Sequence, residues 1–336
     1  MAKVLLLLGA ILPAVLLAGG AGDLERRFEQ SFPGPSEAVI LDVVRGVVEV
    51  SNGPADSEVA FEIVVRLQGS DRAENERRLN FAPDLLAAFK RDAERALEGL
   101  APRYRADARR VEMHLRDSRP VVVDSDPSLQ AVINVRVRVP EGRRLEIRTV
   151  AAGVTIEQHS GPVDIRNETG SSFLGTIAGD LSVRATGGSI TVQDARGRAD
   201  LRTATGNIFV GHLRGPSRLR TSNGSVEVLQ AHDSISVEGD DCDILLSLSA
   251  PVPPDIALRT SAGTITLNID RNLPLTVDAT TRLLGKVRAR GIEPVVRSGG
   301  FNASSLLADL NGGGERVNLR TKWGNIVLVG RDPLDG

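Results

Sequence analysis

A chain of 336 residues is long enough to bury a sizeable core in one or two domains, so size does not limit its architecture. Hydrophobic residues make up 41% and aromatics only 3%, which excludes a core built round large rings and leaves a thin interior of Val, Leu, Ile and Ala. The 41 basic and 43 acidic residues nearly cancel to a net charge of -2, so no global field draws in nucleic acid or an anionic membrane, and neither partner is implied.

The first element in chain order is an address. Lys3 precedes an apolar run from Val4 to Ala18, and the small residues Gly19, Gly20, Ala21 and Gly22 follow, which is the layout of a secretory signal peptide over residues 1–22. The run is shorter than the roughly 20 residues a bilayer span needs. Cleavage and export are therefore expected, to the periplasm, the cell envelope or the outside, with no membrane span in the mature chain. No cysteine near the cleavage region offers itself for lipid attachment, and nothing after Val329 resembles a membrane tail. The single cysteine, Cys242, cannot close an internal disulfide, so the exported fold must stand on packing and hydrogen bonds.

Residues 23–140 read as an N-terminal β region. From about Ser36 to Leu67 apolar and polar residues alternate, which predicts strands with a turn at Ser51-Asn52-Gly53. After Pro83-Asp84 the period changes. Leu86, Phe89, Ala93, Leu97 and Leu100 fall at helical spacing with charges between them and Gly99 near the end, which predicts one amphipathic helix over about 83–99, suited to covering an open end or face of the β structure. Strand text returns with RRVEMHL and AVINVRVRVP.

Residues 141–330 repeat. Laid out in blocks of eighteen from Leu145, the chain places arginine at 148, 166, 184, 202 and 220 and glycine at 170, 188, 206 and 224. A second glycine column, Gly161, Gly179, Gly197 and Gly215, runs nine residues out of phase. The unit is thus nine residues used twice per coil, with apolar pairs such as Val154/Ile156, Leu181/Val183 and Ile190/Val192 supplying a short strand in each half. Glycine corners joining parallel strands predict an all-β fold, a parallel β-solenoid (β-helix) with 18-residue coils. Six coils are contiguous. IALRTSAGTITLNI at 256–269 and VNLRTKWGNIVLVG at 317–330 are outlying copies, separated by APVPPD and by an insertion over about 282–315 that reads as a looser excursion or a flanking strand.

The run VRVRVPEGRRLEIRTVAAGVTIEQHSGPVDI, followed by RATGGSITV, RTATGNIFV, RTSNGSVEV and RTSAGTITL, resembles the putative-adhesin domain family over roughly residues 36–329. The resemblance rests on the Val-Pro-Glu-Gly entry at 139–142, the serial Gly-[Ser/Thr/Asn]-[Ile/Val] corners and the closing TKWGNIVLV. It implies an exported bacterial β-solenoid and carries over no catalytic residues. The charged segment at 70–100 departs from the family pattern.

Three sets of residues could carry function. Calcium-binding nonapeptide repeats need a recurrent aspartate in the form GGxGxD, and the corners here lack it, so no metal and no cofactor is expected. The one acidic corner, Asp240, Asp241 and Asp243, reads as a solvated turn. The column of Arg148, Arg166, Arg184, Arg202 and Arg220 should point outward, one per coil, as a ladder for an anionic surface polysaccharide or an envelope protein. Glu146, Asp164 and Asp200, two residues earlier on the same faces, make a structural reading available too. Finally, Asp194 and His212 hold the same place in neighbouring coils with His232 close by in the next, which suits an acid-base pair or a metal site. That edge supports the rival reading, a carbohydrate-active enzyme of β-helix type acting on an anionic polysaccharide. The reading preferred from sequence is a non-enzymatic adhesin or cell-envelope binding and scaffolding module.

Overall fold

An apolar residue at every second position gives a strand one buried face, and this chain uses that pattern almost throughout. The computed structural model describes residues 24–32, 37–68, 91, 100–107, 109–115 and 130–332, and apart from Arg91, which is helical, every element within them is a β-strand. The signal segment at 1–22 lies outside the described residues, as does the helix expected over about 83–99, apart from Arg91. Among the described residues no helix is long and apolar enough to cross a membrane. The fold is all-β with one large, mostly parallel sheet, and the chain divides into two compact units, Met1–Thr155 and Ile156–Gly336.

The first unit contains β1 (Leu24–Phe32), β2 (Ala38–Gly53), β3 (Val59–Gln68), β4 (Arg103–Ala106), β5 (Arg110–Leu115), β6 (Gln130–Pro140) and the start of β7 (Arg144–His159). β3 lies antiparallel between β1 and β6. β2 serves three partners: Ala38–Val43 pairs in parallel with β5, Val47–Gly53 pairs in parallel with β6, and β7 is its third neighbour. Gly46, at φ 122, stands between the halves, where a Cβ would lie 2.2 Å from the Ile133 carbonyl oxygen. The turn expected at Ser51-Asn52-Gly53 falls later, at Ala55 and Asp56, because those three residues extend the ladder against β6. Three of the scarce aromatic residues pack together here. Phe32, Phe61 and Tyr104 cluster with ring centroids 5.4 to 5.9 Å apart, and burial pushes the Tyr104 phenol up in pKa.

The second unit contains β8 (Val163–Thr169), β9 (Ser172–Ile177), β10 (Leu181–Gly187), β11 (Ile190–Ala195), β12 (Ala199–Thr205), β13 (Ile208–Leu213), β14 (Ser217–Ala231) and β15 (Ile235–Leu248). They are followed by β16 (Ile256–Ala262), β17 (Ile265–Asp270), β18 (Leu275–Leu283), β19 (Val287–Arg290), β20 (Val295–Gly299), β21 (Ser305–Leu310), β22 (Glu315–Trp323) and β23 (Ile326–Arg331). Through β15, each strand pairs in parallel with the strand eighteen residues away: Val183 faces Ile165 and Leu201, and Val192 faces Leu174 and Val210. Stacking in that register buries Val183, Leu201, Leu219, Val237 and Leu258 completely from one side and Val192, Val210, Val228, Leu246 and Leu267 from the other. Each such side chain contributes roughly 1.5–3 kcal/mol of burial.

Threonine and glycine together fix the corners. Gly188, Gly206 and Gly224 have φ of 96, 142 and 142, and a Cβ on each would lie 2.3 Å from the carbonyl oxygen of the glycine one rung before. The threonine after several arginines of the column then donates its hydroxyl to a neighbouring corner carbonyl: Thr203 to Gly188 (3.2 Å), Thr221 to Gly206 (3.1 Å) and Thr321 to Gly263 (3.3 Å). One rung exchanges the pair. Cys242 replaces the corner glycine, and Gly239 replaces the threonine, because a Cβ at Gly239 would sit 2.4 Å from that of Cys242. The second glycine column has another cause. Gly197 and Gly215 are not in the left-handed region, but a Cβ on either would come within 2.7 Å of the backbone of the preceding rung.

Chain order and spatial order part company after β17. β22 lies parallel between β16 and β18, and β23 between β17 and β19, so the strands of 315–331 fill a slot between two rungs made earlier in the chain. The insertion at about 282–315 is therefore not a loose excursion throughout. β18 and β19 form a rung outside β22 and β23, and β21 then β20 add to β18 in antiparallel fashion, burying Leu306, Ala308 and Leu310.

Candidate functional site

The arginine column is real in space for the second unit. Arg184 faces Arg166 and Arg202 across neighbouring strands, and Arg202 faces Arg220. Beyond a single acid, Glu238, the same column continues with Arg259 and Arg320. Arg148 belongs to the first unit, where it pairs with Glu146 at 3.5 Å. Some of the column is neutralised as the spacing predicts: Arg166 meets Asp164 at 3.5 Å, and Arg202 donates to both oxygens of Asp200 at 2.8 and 2.9 Å. The Asp200 carboxylate, by hydrogen bond and charge, raises the pKa of the Arg202 guanidinium. Arg320 donates to Asp278 at 2.7 Å. Arg184, Arg220 and Arg259 are exposed and make no ion pair among the described residues. Exposed ion pairs of this kind are worth only about 0–1 kcal/mol each.

The Asp194 edge gathers the three residues that the spacing brings together, with a further pair of partners on the carboxylate. Asp194 and His212 are direct partners in β11 and β13, and His212 in turn faces Gln230. His232 reaches back so that the two imidazoles stack, centroids 6.2 Å apart and planes 22° apart. The carboxylate, however, is taken by arginines: Arg214 donates to one oxygen at 2.8 Å and Arg196 to the other at 3.1 Å. Burial pushes the Asp194 carboxyl up, and the bonds from Arg214 and Arg196 outweigh it and hold it below the ordinary value. Burial, then the charges of Arg214 and His212, push His232 down. The Nδ1 atom of His212 is buried and has no hydrogen-bond partner among the described residues. Among the described residues no group of three or more His, Cys, Asp or Glu side chains is placed to hold a metal ion.

At the acidic corner, Asp243 accepts from the Thr264 amide at 2.7 Å, so it braces the next rung. Between Asp241 and Asp243, Cys242 is buried and its thiol is pushed up to about 11, chiefly by desolvation. The threonines that lock the corners were missed as a class by sequence reasoning. The signal was present in the recurrent Arg-Thr-x-x-Gly spacing, but the bond it encodes runs between rungs.

Fold and site together define an all-β repeat protein with a partly neutralised column of arginines on one strand face. No protein-family model matches the chain, and no curated protein does. It is similar to solved structures of a "putative cell adhesion protein" from Clostridium sporogenes (10% identity, TM-score 0.24, 91% of this chain and 100% of that one) and a "putative adhesin" from Bacteroides fragilis (10% identity, TM-score 0.40, 90% and 96%).

Proposed function

We propose that this is an exported, non-enzymatic β-solenoid protein that presents its arginine column to anionic surface polysaccharide, as an adhesin or cell-envelope binding module. The solenoid reading is supported by the eighteen-residue parallel register and by the two buried columns of Val, Leu and Ile. The binding reading rests on one observation: Arg166, Arg184, Arg202 and Arg220 are in register, and two of the four lack a carboxylate partner among the described residues. At rung spacings of about 4.8 Å such a ladder offers a line of planar, permanently charged donors matched to a polymer with repeated carboxylates or sulfates. Against an enzyme at Asp194, His212 and His232 stands the state of the carboxyl. Held ionised by two guanidiniums, it is a poor proton donor, and its lowered pKa makes it a weak base.

The test is binding of immobilised polygalacturonate and of a neutral glucan. Retention on the acidic polymer that weakens as salt rises, and falls further in Arg184→Ser/Arg220→Ser, is the expected result. Equal retention on both polymers, or insensitivity to the double variant, would refute it. The variant Asp194→Asn/His212→Gln/His232→Gln should bind as the parent does; loss of binding there would favour the catalytic edge.

A further inference from the structure

The corner between β18 and β19 breaks the pattern of every rung behind it. Elsewhere the place just before the corner residue is small or polar: Gly187, Thr205, Asn223, Asp241, Ala262. In the last two rungs it becomes Trp323 and then Leu283, which are partners across β22 and β18. The residue one step earlier changes as well, from Ser222, Asp240 and Ser261 to Lys322 and Arg282. The final corner is also one residue longer. Three steps separate Trp323 from Ile326, whereas four separate Leu283 from Val287, although both ends are paired in register.

The extra residue is Leu284. Gly285 keeps the close approach typical of the column, since a Cβ there would lie 1.9 Å from the Gly324 carbonyl oxygen, and Leu284 is looped out in front of it. The Gly285 amide donates to the Leu283 carbonyl at 2.7 Å, closing a three-residue turn with Leu284 at φ 56. A branched apolar residue is poorly suited to that conformation, and here the side chain is 95% exposed, so it gains nothing from the fold in return. Trp323 is 49% exposed and Leu283 40%. The amide of Asn302 donates to the Val287 carbonyl, which brings the segment of Phe301, 40% exposed, to the same corner.

Around this apolar tip stand exposed cations: Arg282, Lys286 and Lys322. Arginine supplies nearly all the positive charge of this chain, yet two of its four lysines and its single tryptophan meet here. The acids of the same corner, Asp240, Asp241 and Asp243, lie behind, separated from the final rung by those of β16 and β22. Net charge concealed this segregation. A tryptophan and leucines ringed by long-stemmed cations suit a boundary that is apolar within and negatively charged at its surface, where Trp sits at headgroup depth and Lys reaches the phosphates.

We infer that the corner of Leu283, Leu284 and Trp323, with Arg282, Lys286 and Lys322, docks this protein on an anionic lipid surface. The proposal is independent of the arginine column, which lies on another part of the rung. Because Trp323 is the only tryptophan, its emission reports on this corner alone.

The experiment adds extruded vesicles, either phosphatidylglycerol with phosphatidylcholine or phosphatidylcholine only, to the full chain and records tryptophan emission and co-sedimentation. Anionic vesicles should shift the emission to the blue and pull down the protein; neutral ones should not shift it. Lys286→Gln and Lys322→Gln should each weaken partition about five-fold. Leu284→Asn should weaken it about tenfold or more while leaving the midpoint of urea unfolding unchanged or higher, since asparagine tolerates the left-handed turn. An unshifted emission with anionic vesicles would overturn the proposal, as would pull-down unaltered in all three variants. A lipid-independent dimer abolished by Leu284→Asn would overturn it in favour of a second copy of the chain as the occupant.

Discussion

Gly206→Ala isolates the constraint that sets the rung spacing. An alanine Cβ at 206 would lie 2.3 Å from the Gly188 oxygen, 2.7 Å from its carbon and 3.3 Å from the Ser189 nitrogen. All three are backbone atoms in a ladder paired on both sides, so nothing flexible can move aside. The backbone conformation itself, at φ 142, costs a non-glycine residue about 1–2 kcal/mol. Relieving the contact means parting the rungs by about 1 Å, at an overpacking cost of about 1–3 kcal/mol, and it weakens the 2.9 Å bond from the Gly206 amide to Asn223, worth about 1 kcal/mol. The sum is a loss of about 4 kcal/mol, read as a lower midpoint of urea unfolding at unchanged slope. Gly312→Ala is the control: φ is 90 there and nothing lies within 4 Å of the added carbon, so only the backbone cost of about 1 kcal/mol applies. If the two variants lost the same stability, close rung approach would not be what glycine supplies at these corners.

Other consequences are open to measurement. Thr221→Val removes the hydroxyl from Gly206 (3.1 Å) and leaves that carbonyl wanting a donor, so it should cost about 1–2 kcal/mol by urea unfolding, with Thr221→Ser recovering most of it. Cys242, buried and with its thiol raised to about 11, should resist aromatic disulfide reagents at pH 8 until the protein is unfolded; reaction at the rate of a free thiol would contradict its burial. His232, lowered from 6.5 in the folded state, takes up its proton more readily in the unfolded chain, so stability should fall as pH drops below 6.5 and level off below the folded value. His232→Gln should flatten that slope. Asp194, also lowered, acts in a separate window: its contribution is present above 3.8 and fades only as pH falls through its lower folded value.

Much of the repeat was legible in the sequence because its strongest signals are one-dimensional. Glycine and arginine recur at a fixed interval when every rung has the same length, and Ile190, Val192, Ile208 and Val210 alternate with polar residues because one strand face is buried. The partners of Arg166 and Arg202 could be read for the same reason, lying two residues away on the same strand. What escaped depends on contacts between rungs. Thr203 is an ordinary strand residue until the Gly188 carbonyl is known to lie above it. Asp194 looked free to work with His212, yet Arg214 lies twenty residues away in sequence and captures it. The rung of β18 and β19 was unreadable because LTVDATTRLLGKV carries Thr280 where the column has arginine and an extra residue at its corner, so its register appears only against Val317, Leu319 and Arg320.

The insertion of β22 and β23 between older rungs affects how the molecule can be made. β18 and β19 meet the earlier parallel strands only through β22 and β23, so their places in the ladder are complete only when residues 315–331 are seated. Without residues 315–331 the edges of β16 and β17 would be left unpaired, a template for any stray strand. Residues 315–331 are thus the keystone of this end, the one segment through which its outermost strands are tied to the rest of the ladder.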